Sequence, residues 1–191
     1  MRKISFIILL LFLLYSCTPY NFVLKRFDEI PVFGLIMSDL ESVEIPSKYS
    51  SSIILKENAR VALAVSDRTQ FISHFNVNME KGGGLIFSIR TISDNFDTHP
   101  SIKFKYDMFG SYIYDNKKLI NSVDSIKAQI GKQKLISISN NGQYYQITVD
   151  CDTVYKGRTK LPATEYVIIE SLEGTEAYIS GIDFAEIYEI D

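Results

Sequence analysis

From Phe71 to Met79 the chain reads Phe-Ile-Ser-His-Phe-Asn-Val-Asn-Met, with Phe71, Ser73, Phe75, Val77 and Met79 on one parity and Ile72, His74, Asn76 and Asn78 on the other. A period of two is the signature of an extended strand, because successive side chains point to opposite faces. The first set faces a core and the second faces away from it. After Gly82-Gly83-Gly84, which reads as a hairpin turn, Leu85, Phe87 and Ile89 repeat the pattern. Further candidate strands are Ser51–Lys56, Arg60–Val65, Ser101–Tyr106, Ser111–Tyr114, Lys134–Asn140, Gln143–Asp150, Glu165–Ser171 and Ala177–Tyr188. They are rich in β-branched and aromatic residues and punctuated by turn signals such as Asn141-Gly142 and Glu173-Gly174, the spacing of an all-β, two-sheet antiparallel sandwich. One helical element is expected near 122–130, where Ser122 caps a stretch with Val123, Ile126 and Ile130 at helical spacing and Gly131 ends it.

The chain opens with Arg2 and Lys3, an apolar run from Ile4 to Leu14, and then Leu14-Tyr15-Ser16-Cys17. Eleven residues at about 1.5 Å each fall well short of a hydrocarbon core of roughly 30 Å, so a permanent span is not expected. The segment resembles bacterial lipoprotein signal peptides. The resemblance implies cleavage before Cys17, lipidation of its thiol, and anchoring of the mature chain through two or more acyl chains. The expected organisation is a signal peptide over 1–16, a lipidated tether over 17–25 and one domain over 26–191, with residues 27–46 unassigned. Localisation follows as extracytoplasmic, on the periplasmic side of the outer membrane in a cell with two membranes.

Without Arg2 and Lys3, 18 of the 20 basic residues remain against 23 acidic ones, scattered among each other rather than gathered in a stripe. Nucleic acid is therefore not an expected partner. With Cys17 lipidated, Cys151 is the one remaining thiol, which rules out an internal disulfide. It reads as a small half-buried residue in or beside a hairpin turn. No cofactor is expected. Asp94, Asn95 and Asp97 offer oxygen ligands for calcium but lack the ordered spacing of a calcium loop, and read as a polar connection ended by Pro100.

Phe71–Met79, the glycines and Leu85–Arg90, followed by Lys134–Ser139, Asn141-Gly142, Tyr145–Asp150 and Val154, resemble strands of concanavalin A-like lectin/glucanase domains, including laminin G-like and 3-keto-disaccharide hydrolase-like modules. Tyr178–Tyr188 resembles their closing strand. The resemblance implies a jelly-roll sandwich over most of residues 51–188. The glucanase branch carries its acids as Glu-x-Asp-x-Glu or Glu-x-Asp-x-x-Glu, and neither occurs here. Asp183, Glu186 and Glu189 are the nearest cluster, and alternation sends Asp183 and Glu186 to opposite faces. No nucleophile motif accompanies His74 or His99, so no catalytic residue and no metal ligand is assigned.

A recognition surface is expected instead. With Leu85, Phe87 and Ile89 inward, Ile86, Ser88 and Arg90 line the outer face, joined by His74, Asn76 and Asn78 from a neighbouring strand. Tyr112 and Tyr114 share one face of their strand, where a phenol ring can stack on a sugar or fill a partner's pocket. The ligand-binding candidates are His74, Asn76, Arg90, Tyr112 and Tyr114. The expected function is a noncatalytic, membrane-anchored module that binds glycan. The alternatives are an assembly lipoprotein that binds an envelope protein and a glycoside-active enzyme.

Overall fold

The computed structural model describes residues 22–26, 36–37, 42–44, 46, 52–64, 70–91, 100–161 and 166–189. In chain order the strands are β1 (Phe22–Arg26), β2 (Ile36–Met37), β3 (Val43–Glu44), β4 (Ile53–Leu55) and β5 (Arg60–Ala64). There follow β6 (Gln70–Lys81), β7 (Gly84–Thr91), β8 (Ile102–Asp107), β9 (Ser111–Asp115) and β10 (Lys118–Val123). The last five are β11 (Gln133–Asn141), β12 (Tyr144–Val149), β13 (Asp152–Arg158), β14 (Tyr166–Ser171) and β15 (Glu176–Glu189). Sheet I has the order β13-β12-β11-β6-β15-β4-β3, with β1 also paired to β15; sheet II has the order β10-β9-β8-β7-β14-β5-β2. Neighbouring strands pair antiparallel throughout.

The core lies between the sheets and follows the alternation. Phe71, Phe75, Val77 and Met79 from β6 are buried, as are Leu85, Phe87 and Ile89 from β7. Phe75 of sheet I meets Phe87 of sheet II at 5.4 Å between ring centroids, and Phe87 stacks on Phe104 at 5.8 Å. Aromatic pairs at these separations add to the stabilisation from burial itself. At one lateral edge Asn121 Nδ2 on β10 donates to Val154 O on β13 at 2.7 Å, fastening the two sheets together.

Four expectations need correction. The Gly82–Gly84 link is not a hairpin: β6 lies in sheet I and β7 in sheet II, so it is an arch between layers. Gly83 has φ +94°, and a Cβ there would strike the Thr175 hydroxyl, which accepts from Gly84 N at 2.8 Å and donates to Gly84 O at 3.0 Å. Alternation cannot distinguish arch from hairpin, because both return the chain with its apolar parity inward.

The helix near 122–130 is absent; Ser122 and Val123 belong to β10, and no helix occurs among the described residues. Residues 124–132 cross from sheet II to sheet I in extended turns. They are pinned by Ser111 Oγ donating to Ile126 O at 2.6 Å, Ala128 N to Asp107 O at 2.9 Å and Gly131 N to Met79 O at 2.9 Å. Ile130, which a helix would have turned to the core, is 53% exposed. Tertiary hydrogen bonds here outweigh a weak local preference.

Phe22–Lys25, expected as the end of a tether, is strand instead, since Phe22–Arg26 pairs with Glu189–Ala185 at the end of β15. Cys151 is exposed rather than half-buried. Asp150 and Cys151 have φ of 50° and 70°, the two consecutive left-handed residues of a tight hairpin turn between β12 and β13.

Candidate functional site

The outer face of sheet II carries two parallel rows of side chains. In the first, ladder pairing aligns Tyr112 (β9), Lys105 (β8), Ile86 (β7), Glu170 (β14) and Arg60 (β5). In the second, two residues along each strand, it aligns Tyr114, Lys103, Ser88, Ile168 and Ala62. Five strands at about 4.8 Å spacing make each row roughly 19 Å long. Alternation dictates this placement, because Phe104, Ile113, Phe87, Ile169 and Val61 occupy the opposite parity and fill the core.

The two rows differ in how their charges are used. Arg60 Nη2 is paired with Glu170 Oε1. Lys105 Nζ lies 2.8 Å from Asp107 Oδ2 and 5.4 Å from the Tyr112 ring centroid, so its charge is neutralised and it covers that ring. The hydrogen bond to Asp107 raises the Lys105 ammonium above its usual value against the opposing effect of burial. In the second row, Lys103 has no ion-pair partner among the described residues, and no ring or cation covers Tyr114. Ser88, Ile168 and Ala62 are 4%, 1% and 0% exposed although they lie on the outer parity, so this row is sheltered where the rest of the face is open. Where Arg60, Ile86 and Glu170 meet the β4–β5 turn, they line a cavity of about 380 Å³ with Asn58, Ala59, Ser171 and Leu172.

His74 and Asn76 stand on the outer face of sheet I, on the other side of the sandwich. There Thr148, Ser137, His74 and Asp183 are in register across β12, β11, β6 and β15. His74 Nδ1 and Ser137 Oγ are 2.9 Å apart. Sequence reasoning missed this serine, because only strand pairing brings residues 63 positions apart together. The row has the residue types of a nucleophilic triad but not its surroundings. Ser137 sits in a strand paired on both sides, so the ladder takes up the backbone N–H groups that an oxyanion hole would need. In the β15–β6 ladder Asp183 falls opposite His74 and Glu186 opposite Phe71, positions of opposite parity. A bulge at Gly181, φ +57°, makes room for the Asn76 amide, which a Cβ at 181 would meet at 2.5 Å.

Arg90 belongs to neither face. It was expected outward beside Ser88, but it has φ +61° and is 2% exposed. The β7–β14 register slips between the Thr91 and Ser88 pairs, leaving Ile89 and Arg90 opposite Val167. This bulge turns the side chain between the sheets. Its Nη2 donates to Gly142 O and, at 3.2 Å, to Tyr144 O, both at the β11–β12 turn of sheet I. Burial lowers the Arg90 pKa from its ordinary value.

The predicted ligand set is therefore divided among three places: Tyr112 and Tyr114 on sheet II, His74 and Asn76 on sheet I, and Arg90 inside. The outward cation missing from it is Lys103, and Lys105, Arg60 and Glu170 on the same face are engaged in ion pairs. The alternation of Ile102-Lys-Phe-Lys-Tyr106 does mark Lys103 and Lys105 as outward. Cys17, Asp94, Asn95, Asp97 and His99 lie outside the described residues. Among the described residues no group of three or more His, Cys, Asp or Glu gathers to hold a metal.

No family model matches the sequence, and no curated protein matches it either. Solved structures do match the fold. A carbohydrate-binding module from Bacillus subtilis superposes with TM-score 0.55 at 9% identity, over 87% of this chain and 96% of that one. The chain is a jelly-roll β-sandwich. The β-glucanase of Bacillus licheniformis gives TM-score 0.54 at 12% identity, over 88% and 99% of the two chains. A Bacillus subtilis protein with a galectin-like fold gives 0.57 at 8%, over 88% and 100%. At these identities the likeness is one of fold, and a fold of this kind hosts many activities.

Proposed function

We propose that this protein is a noncatalytic glycan-binding module, anchored outside the cytoplasm by lipid on Cys17, that uses the outer face of sheet II. The observation that carries the reading is the Tyr114 ring, which no ring or cation covers among the described residues, beside the Lys103 ammonium opposite it. A flat apolar ring stacks on a sugar face, while an ammonium supplies hydrogen bonds to its edge. The names of two fold neighbours, a carbohydrate-binding module and a β-glucanase, support the ligand class. The ladder-bound surroundings of Ser137 support binding without turnover.

The test is a glycan array probed with the lipid-free chain beginning at Thr18, with the same panel assayed for released sugar. Saturable binding without release, weakened in Tyr114→Ala, is expected. Released product would replace this reading with an enzyme. For the anchor, Cys17→Ala should move the protein from the membrane fraction to the soluble extracytoplasmic fraction.

One observation favours a second reading, an assembly lipoprotein docking on an envelope protein. Phe109 is 77% exposed, yet its turn is held rigid by Asp107 Oδ1, which accepts from Phe109 N at 2.8 Å and Gly110 N at 3.0 Å. A preorganised aromatic of this kind suits a partner's pocket. In-cell crosslinking from position 109 to one envelope protein, together with silence on the array, would select it.

A further inference from the structure

Among the described residues three cations stand on the outer face of sheet II, and their circumstances separate them. Arg60 is committed to Glu170 and Lys105 to Asp107. Lys103 is the exception, with no carboxylate bound to it among the described residues. Its ladder partners are Tyr114 on one side and Ser88 on the other, in the row whose next two members, Ile168 and Ala62, are buried. Lys103 is half-buried between Tyr114 and Ser88, and an anion arriving there gains a charge-assisted hydrogen bond that no carboxylate among the described residues already takes.

Resting on the glycan reading above, we infer that the ligand is an acidic sugar, with one carboxylate or sulfate meeting Lys103 while the ring that carries it stacks on Tyr114. The same geometry limits the ligand's charge. The chain carries a formal net charge of −3, and the other two cations placed on this face, Lys105 and Arg60, are already paired with carboxylates, so a second or third anion finds no free cation among the described residues of this face. The site selects a glycan with isolated acidic residues over a dense polyanion, and its affinity falls with salt as expected for about one ion contact.

The test uses the purified protein and acidic oligosaccharides, each beside its carboxyl-reduced neutral form, with affinities measured by calorimetry at low and at high salt. The acidic member is expected to bind about tenfold tighter at low salt. That preference should vanish in Lys103→Gln and at high salt, and survive in Lys105→Gln, whereas Tyr114→Ala weakens both members of each pair. Equal binding of the two members, or a preference that persists in Lys103→Gln, would overturn the acidic-ligand inference and leave glycan binding intact. Binding to no member, acidic or neutral, would overturn the glycan reading and this inference with it. Folding of each variant is checked by its unfolding midpoint.

Discussion

On the outer face of sheet I, hydroxyls and an imidazole answer one another across the strands: Thr148, Ser137, His74 and Asp183 lie in one register, and Ser137 is within hydrogen-bond distance of His74. The aromatic residues of that face stand toward its ends, Tyr144 beneath the Arg158 guanidinium at 4.4 Å and Tyr178 beyond Asn78. On the outer face of sheet II, Tyr112 and Tyr114 stand opposite Lys105 and Lys103, and among the described residues no carboxylate pairs with Lys103 and no ring or cation covers Tyr114. The same ladder geometry thus yields one face whose central polar groups are engaged with each other and one with groups still to be satisfied. The difference teaches that exposure alone does not mark a binding surface. What marks it is a side chain that could make an interaction and has none.

The variant with the largest expected effect tests whether the two faces are independent of the strut between them. Arg90→Met removes buried hydrogen bonds to the Gly142 and Tyr144 carbonyls and should lower unfolding stability by roughly 2–4 kcal/mol in urea titrations. Ligand affinity of the folded fraction should be unchanged. A loss of affinity without loss of stability would return Arg90 to the binding surface. Next, Tyr114→Ala should weaken glycan binding by roughly 2 kcal/mol, about thirtyfold, with a smaller loss for Tyr112→Ala, whose ring Lys105 already covers. His74→Ala and Asn76→Ala should leave affinity unchanged, and a loss there would move the site to sheet I.

Acid and alkali should separate the sheets more gently. Burial alone would raise the Asp150 carboxyl of sheet I, but Lys134 Nζ at 2.7 Å and Leu135 N at 2.9 Å hold it below its usual value. A depressed carboxyl stabilises above its unfolded pKa, and that contribution is lost as pH falls through the folded value. Lys105 of sheet II is raised above 10.5 by Asp107, so its contribution is present below that value and lost as pH rises through the folded pKa. Each loss should be under about 1 kcal/mol, because such pairs are screened. Asp150→Asn should flatten only the acid limb of a stability–pH curve, and Lys105→Gln only the alkaline limb. Last, Ser137→Ala should change neither binding nor the hydrolysis of an activated ester. A Ser137-dependent burst would make sheet I the chemically active face.

Much of the fold was legible because Phe71–Met79, Leu85–Ile89 and the other alternating runs state which parity is inward, and each of them became a strand. The strands β10 and β13 were missed for a physical reason. They are the edge strands on one side of the sandwich, and Asp152–Arg158 buries only Val154, so alternation has little to act on. Layer assignment was not legible, which is why His74 and Ser88 seemed to share a surface and do not. The bulge that turns Arg90 inward had no sequence signal either, since arginine is seldom found at positive φ. Tyr112 and Tyr114 were placed correctly on one face. Which of them is free to meet a ligand depends on Lys105, a contact that only the pairing of β8 with β9 creates.

The pairing of β1 with β15 has a consequence for orientation. Phe22 lies opposite Glu189 and Arg26 opposite Ala185, so the chain leaves the sandwich at the end where β6 begins. Four residues separate Cys17 from Phe22, five Cα steps with a reach of at most about 17 Å. With lipid on Cys17, that end of the protein is held against the bilayer, and β6, with 12 residues and a length of about 40 Å, measures how far the opposite end can stand from it. Phe109 and Cys151 sit at that distal end, and under the proposed lipidation of Cys17 both broad faces would look sideways along the membrane surface, toward polymers that lie parallel to it.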